Sequence, residues 1–246
     1  MSLLDHRIVS ERYFFPRRDP PRRCWTFELP GGETLGCVRS EVPGDRWVLH
    51  FHGNGEVVAD WEPLLPALFA AAGFSSLLVE YRGYGASTGQ PALTAMLGDG
   101  AALVEALGLD PGRCVAFGRS IGSLYAIELC RRLPLAGLIL ESGIHDLGER
   151  LRLRMAPAEL GATEEEFAAA LERDFDHAAK LAAFTGPTLL LHARDDDLVG
   201  LHHAEANAAA CALPRRCAFD EGGHNGIYFV NRDAYHAAVT DFLAEL

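Results

Sequence analysis

The sequence predicts an α/β protein: a mostly parallel central sheet, helices on both of its faces, and one short helical insertion. Three observations carry this reading. From about residue 47 onward, short apolar runs alternate with longer segments of helical periodicity. The alternation breaks once, between about 143 and 177, where no strand run occurs. Finally, Gly118-Arg119-Ser120-Ile121-Gly122 stands where an apolar run ends and a helical pattern begins. A strand entering a sharp turn and then a helix holds its serine at the tip, with the helix N-terminus behind it.

Taken in order, Phe14-Phe15-Pro16 and Pro20-Pro21 interrupt any helix, so residues up to about 40 read as irregular structure followed by short strands. Cys24 to Leu29 and Thr34 to Arg39 flank Pro30-Gly31-Gly32, which predicts a hairpin. Trp47 to Phe51 is an apolar strand ending in His52-Gly53-Asn54-Gly55. Ala59 to Ala72 reads as a helix closed by Gly73, Ser76 to Val79 as a buried strand, and Ala92 to Leu107 as a helix stopped by Gly108. Val115 to Phe117 leads into the serine turn, and Leu135 to Leu140 is the next strand.

Within the break, Thr163 followed by Glu166 has capping-box form, and its helix places Phe167, Leu171 and Phe175 on one face. This insertion is too short for an independent domain and reads as a cap, so residues 1–246 read as one domain. Strand pattern returns at Thr188 to His192 and near Cys217 to Phe219, with helices over His203 to Cys211 and Asn231 to Leu246.

Composition narrows the partners. Thirty-four acidic residues against 22 basic ones give a net charge of −12, which argues against nucleic acid. It also argues against a strongly anionic substrate, unless a local basic pocket overrides it. Nearly half the chain is apolar (49%), enough for a substantial core. The six cysteines, at 24, 37, 114, 130, 211 and 217, form no Cys-x-x-Cys and are expected to be reduced and structural. No signal peptide, membrane-spanning run or lipid-anchor motif is visible, so the default expectation is cytoplasmic.

Serine is a poor nucleophile near neutral pH and needs a positioned base, which in turn needs an orienting acid. Asp195-Asp196-Asp197 follow the strand Thr188 to His192, and His224 follows the last strand behind Gly222-Gly223. His202, His203 and His236 fall on predicted helices and are expected to be exposed. A developing oxyanion needs two N–H donors. Ile121, directly after the serine, supplies one; Asn54, in the loop after an early strand, supplies the other, with Gly55 the neighbouring alternative.

These features together resemble an α/β-hydrolase, specifically the small serine hydrolases of the Bem46 and ABHD17-like group. The resemblance spans about residue 45 to the C-terminus. Its carriers are Phe51-His52-Gly53-Asn54-Gly55, Tyr81-Arg82-Gly83-Tyr84-Gly85-Ala86-Ser87-Thr88-Gly89, the Ser120 turn, Asp196 and His224. The segment His192 to Val199 is similar to the family pattern His-Gly-x-x-Asp-x-x-Val-Pro, which selects Asp196 among the three aspartates; Ala193 and Gly200 replace the family glycine and proline. Relatives usually carry Asp where this chain has Glu80, and Ala-Gly-Asn where it has Gly55-Glu56-Val57.

The resemblance implies an α/β-hydrolase fold and acyl hydrolysis by Ser120, His224 and Asp196, without a cofactor, on an ester, thioester or amide of a small to medium acyl substrate. A peptidase on the same triad, or a non-catalytic binding protein on the same fold, is the alternative. His50 and His52 share a strand face, as a metal pair would, but Gly-Asn-Gly after them offers no further ligand. Gly83-x-Gly85 lacks a phosphate-loop ending, which argues against a nucleotide.

Three further expectations concern the surroundings of the serine. Glu56 either stabilises the next helix N-terminus or biases the pocket against anions. Leu147, Leu151, Met155, Phe167 and Leu171 pack the cap onto the body in preference to lining an acyl pocket. Arg119 has no assignable role.

Overall fold

The computed structural model describes residues 2–246. Eight strands form one sheet: β1 (Trp25–Glu28), β2 (Thr34–Ser40), β3 (Trp47–Phe51), β4 (Ser75–Val79), β5 (Cys114–Arg119), β6 (Gly137–Glu141), β7 (Pro187–Ala193) and β8 (Leu213–Phe219). Their spatial order is β1-β2-β4-β3-β5-β6-β7-β8. The β1–β2 and β2–β4 pairs are antiparallel. From β4 to β8 every pair is parallel, so the C-terminal ends of those strands share one edge, where open α/β sheets place their sites.

Eleven α-helices accompany the sheet among the described residues: α1 (Arg7–Tyr13), α2 (Val58–Trp61), α3 (Leu65–Ala71), α4 (Asp99–Ala106), α5 (Gly122–Arg132), α6 (Leu147–Arg152), α7 (Glu164–Phe175), α8 (His177–Ala183), α9 (Leu201–Ala210), α10 (Gly223–Val230) and α11 (Arg232–Ala244). Successive strand side chains point to opposite faces, so each strand feeds two cores. Leu49, Val79, Ala116 and Leu140 pack in one layer with Leu103 of α4 and Leu124 and Ile127 of α5. Val48, Leu78, Phe117 and Ile139 pack in the other with Phe69 of α3 and Val239 and Phe242 of α11. No helix is long and apolar enough to cross a membrane among the described residues.

The insertion between β6 and β7 is helical, as its lack of strand patterning predicts. Its capping box forms: Glu166 N–H donates to Thr163 Oγ1 (3.2 Å) and Thr163 N–H to Glu166 Oε2 (2.8 Å). Phe167 and Phe175 are buried beneath α7 and Leu171 is partly buried. Leu147, Leu151 and Met155 belong to the same core. All six cysteines are free, with Cys37, Cys114 and Cys130 buried.

The structure departs from the sequence reading at several points. The helix expected over 59–72 splits into α2 and α3 around Pro63, which has no N–H to continue the ladder. The helix expected from Ala92 starts at Asp99; the preceding turn is closed by three-residue bonds, Leu97 N–H to Thr94 and Asp99 N–H to Met96, beside Gly98 and Gly100, which weaken helix formation. The N-terminal stretch read as irregular contains α1, too short at seven residues for periodicity to reveal. It is tied to the insertion by Arg12 on Glu159 (2.7 Å). His203, expected to be exposed, is buried: its Nδ1 accepts the N–H groups of His145 (3.2 Å) and Asp146 (3.4 Å) at the start of the insertion.

Candidate active site

Ser120 follows the C-terminal end of β5 with φ of 52°. Left-handed backbone is costly for a residue with a Cβ. Here the neighbouring chain enforces it: Ser120 N–H donates to the Glu141 carbonyl of β6 (2.9 Å) and the Ser120 carbonyl accepts from Ser123 Oγ (2.6 Å). Glycine at 118 and 122 follows from close approach. A Cβ on Gly122 would overlap the Phe51 carbonyl of β3, and one on Gly118 would stand 2.6 Å from the Gly122 carbonyl oxygen.

The three residues singled out in sequence converge. His224 Nε2 lies 3.0 Å from Ser120 Oγ, and His224 Nδ1 lies 2.9 Å from Asp196 Oδ2. With the carboxylate facing Nδ1, the neutral ring carries its proton there, leaving Nε2 to accept from serine. All three are buried to within a few per cent. Asp196 also accepts the N–H groups of Leu198 (3.0 Å) and Val199 (2.8 Å). Burial alone pushes its carboxyl up; contact with His224 and the Val199 N–H outweigh it and hold the pKa down at about 2.

Asp195 turns elsewhere and accepts the N–H groups of Gly222 (3.3 Å) and Gly223 (2.8 Å), so adjacent aspartates orient different parts of one loop. His224 sits at the second position of α10 and not in an open loop. Gly222 and Gly223, at φ of 128° and 53°, make the turn that starts this helix.

Asn54 and Ile121 line the same cavity as Ser120, and their N–H groups have no protein acceptor among the described residues. The Asn54 side chain is fully occupied instead. Its Oδ1 accepts from Phe15 N–H (3.0 Å) and Tyr84 Oη (2.8 Å), and its Nδ2 donates to the Tyr13 carbonyl. These bonds hold the loop so that its backbone donor stays free.

Beneath the loop lies a buried pair, His52 Nε2 to Glu80 Oε1 at 2.6 Å. His52 Nδ1 faces the Gly53 carbonyl (2.8 Å), so both ring nitrogens meet acceptors and the ring is held charged. His50, its partner on the strand face, packs edge-on against Trp61 and Phe117.

Arg119, for which the sequence offered no role, is a buried hub. Its guanidinium contacts Glu56 (2.6 Å) and Glu141 (3.0 Å) and donates to the His224 carbonyl (2.8 Å) and Asn225 Oδ1 (3.2 Å). Glu56 meanwhile accepts from Gly53 N–H (2.7 Å) and Trp61 Nε1 (3.0 Å). It therefore braces the loop at Gly53 from behind and is not among the residues that line the serine cavity.

The serine opens onto a cavity of about 250 Å³ lined by Tyr13, Phe15, Ile144, Arg150, Arg154 and Leu198 beside Ser120, His224, Asn54 and Ile121. The five cap residues named from sequence are absent from that wall and pack inward, as preferred. The wall residues were missed because their local patterns carry no signal; only the fold brings residues 13–15 and 150–154 over the serine.

An eight-stranded mostly parallel sheet with a strained serine between strand and helix defines an α/β-hydrolase. The family model described as serine aminopeptidase, S33, matches residues 43–172, just over half of the chain, and the protein belongs to this hydrolase family. An uncharacterized protein of Mycobacterium tuberculosis is 31% identical over 181 residues, covering 70% of this chain and 61% of that protein. The chain thus spans only about three-fifths of that relative. The human alpha/beta hydrolase domain-containing protein 17B is 25% identical over 229 residues, covering 89% of this chain and 76% of the relative. An esterase structure from Pyrococcus furiosus superposes with a TM-score of 0.75 at 17% identity, covering 94% of this chain and 98% of the other. At that identity the likeness speaks to the fold alone.

Proposed function

We infer that the protein is a serine hydrolase that cleaves a carboxylic ester or thioester of a small to medium acyl substrate. The observation that carries this is the continuous line Ser120 Oγ, His224, Asp196, with separations of 3.0 and 2.9 Å, opening on a cavity.

In this reading Ser120 Oγ attacks the carbonyl carbon while its proton passes to His224 Nε2. Asp196 holds the imidazole and stabilises its charged form. The negative charge moving onto the carbonyl oxygen is met by the Asn54 and Ile121 N–H groups. His224 then gives its proton to the departing alkoxide or thiolate, leaving an acyl-serine. Water attacks the acyl carbon, its proton goes to His224, and the acid leaves as Ser120 regains that proton.

A cavity of about 250 Å³ suits short chains. The aminopeptidase description of the family favours a second reading, amide cleavage next to a free amino terminus. That chemistry calls for a carboxylate to receive the substrate ammonium, and no acidic side chain lines this cavity. Esters therefore come first.

A fluorophosphonate probe should label the wild-type protein at Ser120 and leave Ser120→Ala untouched. A p-nitrophenyl ester series should show its optimum at short acyl chains. A folded sample that neither labels nor turns over any ester would return the chain to the non-catalytic binding proteins.

A further inference from the structure

The charge of the substrate cavity is opposite to that of the chain. Acidic residues outnumber basic ones 34 to 22 overall. Yet none lines the cavity beside Ser120, while two arginines do, Arg150 and Arg154. Arg150 lies in the last turn of α6 and Arg154 in the turn that follows the helix, and both line the same cavity.

The other arginines of the insertion show that these two are unusual. Arg152 pairs with Glu164 (3.3 Å) and Arg173 with Asp174 (2.6 Å). Neither Arg150 nor Arg154 has a carboxylate within ion-pair distance among the described residues, although Arg150 is half-buried. Arg154 is nevertheless held in place. Its guanidinium stacks over the Phe15 ring at 5.3 Å, and its carbonyl accepts from Arg12 (3.4 Å). Both cations also act on the buried Tyr13 hydroxyl in the same wall, opposing the upward pull of burial on its pKa. Arg150 is half-buried and Arg154 exposed; a partly desolvated guanidinium without a protein counter-charge suits an anionic ligand, and its planar fork matches carboxylate and phosphate oxygens.

We propose that Arg150 and Arg154 form an anion subsite of the Ser120 cavity, and that the substrate is a short ester bearing a carboxylate or phosphate group. This rests on the reading of Ser120 as nucleophile for its catalytic meaning, but not for its binding. Substrate charge, on this view, is read by the insertion, and the scissile carbonyl by the body of the fold.

The test is equilibrium binding to Ser120→Ala, which turns nothing over. Monomethyl glutarate is compared with methyl valerate, and 2-acetoxyethyl phosphate with butyl acetate. These pairs separate a carboxylate on the acyl side from a phosphate on the alcohol side. At least one charged member should bind about tenfold or more tightly than its neutral counterpart. The advantage should shrink as salt rises, a readout that needs no arginine variant. It should fall toward unity on adding Arg150→Gln and Arg154→Gln, with folding checked by circular dichroism.

Equal binding within both pairs, or a charge preference that survives the two substitutions, overturns the proposal. Fluorophosphonate labelling of the wild-type protein is read alongside. An arginine-dependent charge preference without labelling would sink the nucleophile reading and leave the anion subsite standing. Labelling without charge preference would do the reverse.

Discussion

Arg119 Nη2 donates to the carbonyl oxygen of His224 at 2.8 Å, joining the residue before the candidate nucleophile to the backbone of the candidate base across 105 positions of sequence. The same guanidinium grips Glu56, which holds the Gly53 N–H, and Glu141, which also accepts from Tyr235 Oη (2.6 Å). The Gly53 loop, serine turn and histidine helix therefore share one rigid cation.

Arg119→Met leaves the buried Glu141 and the partly buried Glu56 without their shared partner, and breaking a buried pair from one side typically costs about 3–5 kcal/mol. Urea unfolding should register that loss. Arg119→Lys keeps the charge but cannot span three directions at once. In ester assays it should lower kcat more than it raises KM, and fluorophosphonate labelling of Ser120 should slow in step.

The neighbouring aspartates predict a sharp contrast. Asp196→Asn removes the negative charge and can turn an amide NH2 toward His224 Nδ1, which favours the wrong tautomer, and the expected loss in kcat is on the order of 10³- to 10⁴-fold. Asp195→Asn retains an oxygen for the Gly223 N–H and should cost less than about tenfold. Asp197→Asn should be milder still. Kinetics of the three variants on one p-nitrophenyl ester decide the register, and a crippled Asp195→Asn would show it to be wrong.

Acid stability should depend on Glu128. It is buried on α5 and contacts Lys180 of α8 (2.7 Å), Arg131 (2.6 Å) and Arg132 (2.7 Å). Burial raises its carboxyl, but these three cations outweigh it and bring the pKa down to about 2. A depressed carboxyl contributes stability that is full above its unfolded value, about 4.5, and is lost as pH falls toward 2. With the arginines partly exposed, roughly 2 kcal/mol is expected over that window. Glu128→Gln should be less stable at pH 7 and show a flatter decline in urea midpoint between pH 5 and 2.

The His52–Glu80 pair predicts the opposite slope. Burial lowers the histidine pKa, yet Glu80 and the Gly53 carbonyl outweigh it and raise it above the ordinary value. The stability it adds is complete below about pH 6.5 and lost as pH rises through the folded value. His52→Gln should be less stable at pH 6 and flatter across the alkaline range in urea titrations. Glu80 also accepts the Val58 N–H (3.1 Å). Glu80→Asp retracts the carboxylate by one methylene and should cost about 1–2 kcal/mol in the same assay.

Much of the sheet was legible because apolar runs and glycine or proline punctuation are local signals. Residues 47–49 and 115–117 alternate toward two cores, and that alternation needs no knowledge of partners. Short elements escaped for the same reason: α1 spans seven residues, and the split at Pro63 hides inside a continuous helical pattern. Ser120, Asp196 and His224 could be named because parallel strands deliver their C-terminal ends to one edge, so residues just past three strands converge.

What the sequence by itself determined is thus the layered α/β plan and the three residues that meet at its edge. Tertiary structure alone decided that Arg119 is a hub, that Glu56 braces the loop at Gly53, and that Tyr13, Phe15, Arg150 and Arg154 wall the cavity. The physical reason is range. Apolar periodicity is written within a dozen neighbouring residues, whereas the place of a buried charge depends on partners brought together only when the chain has folded.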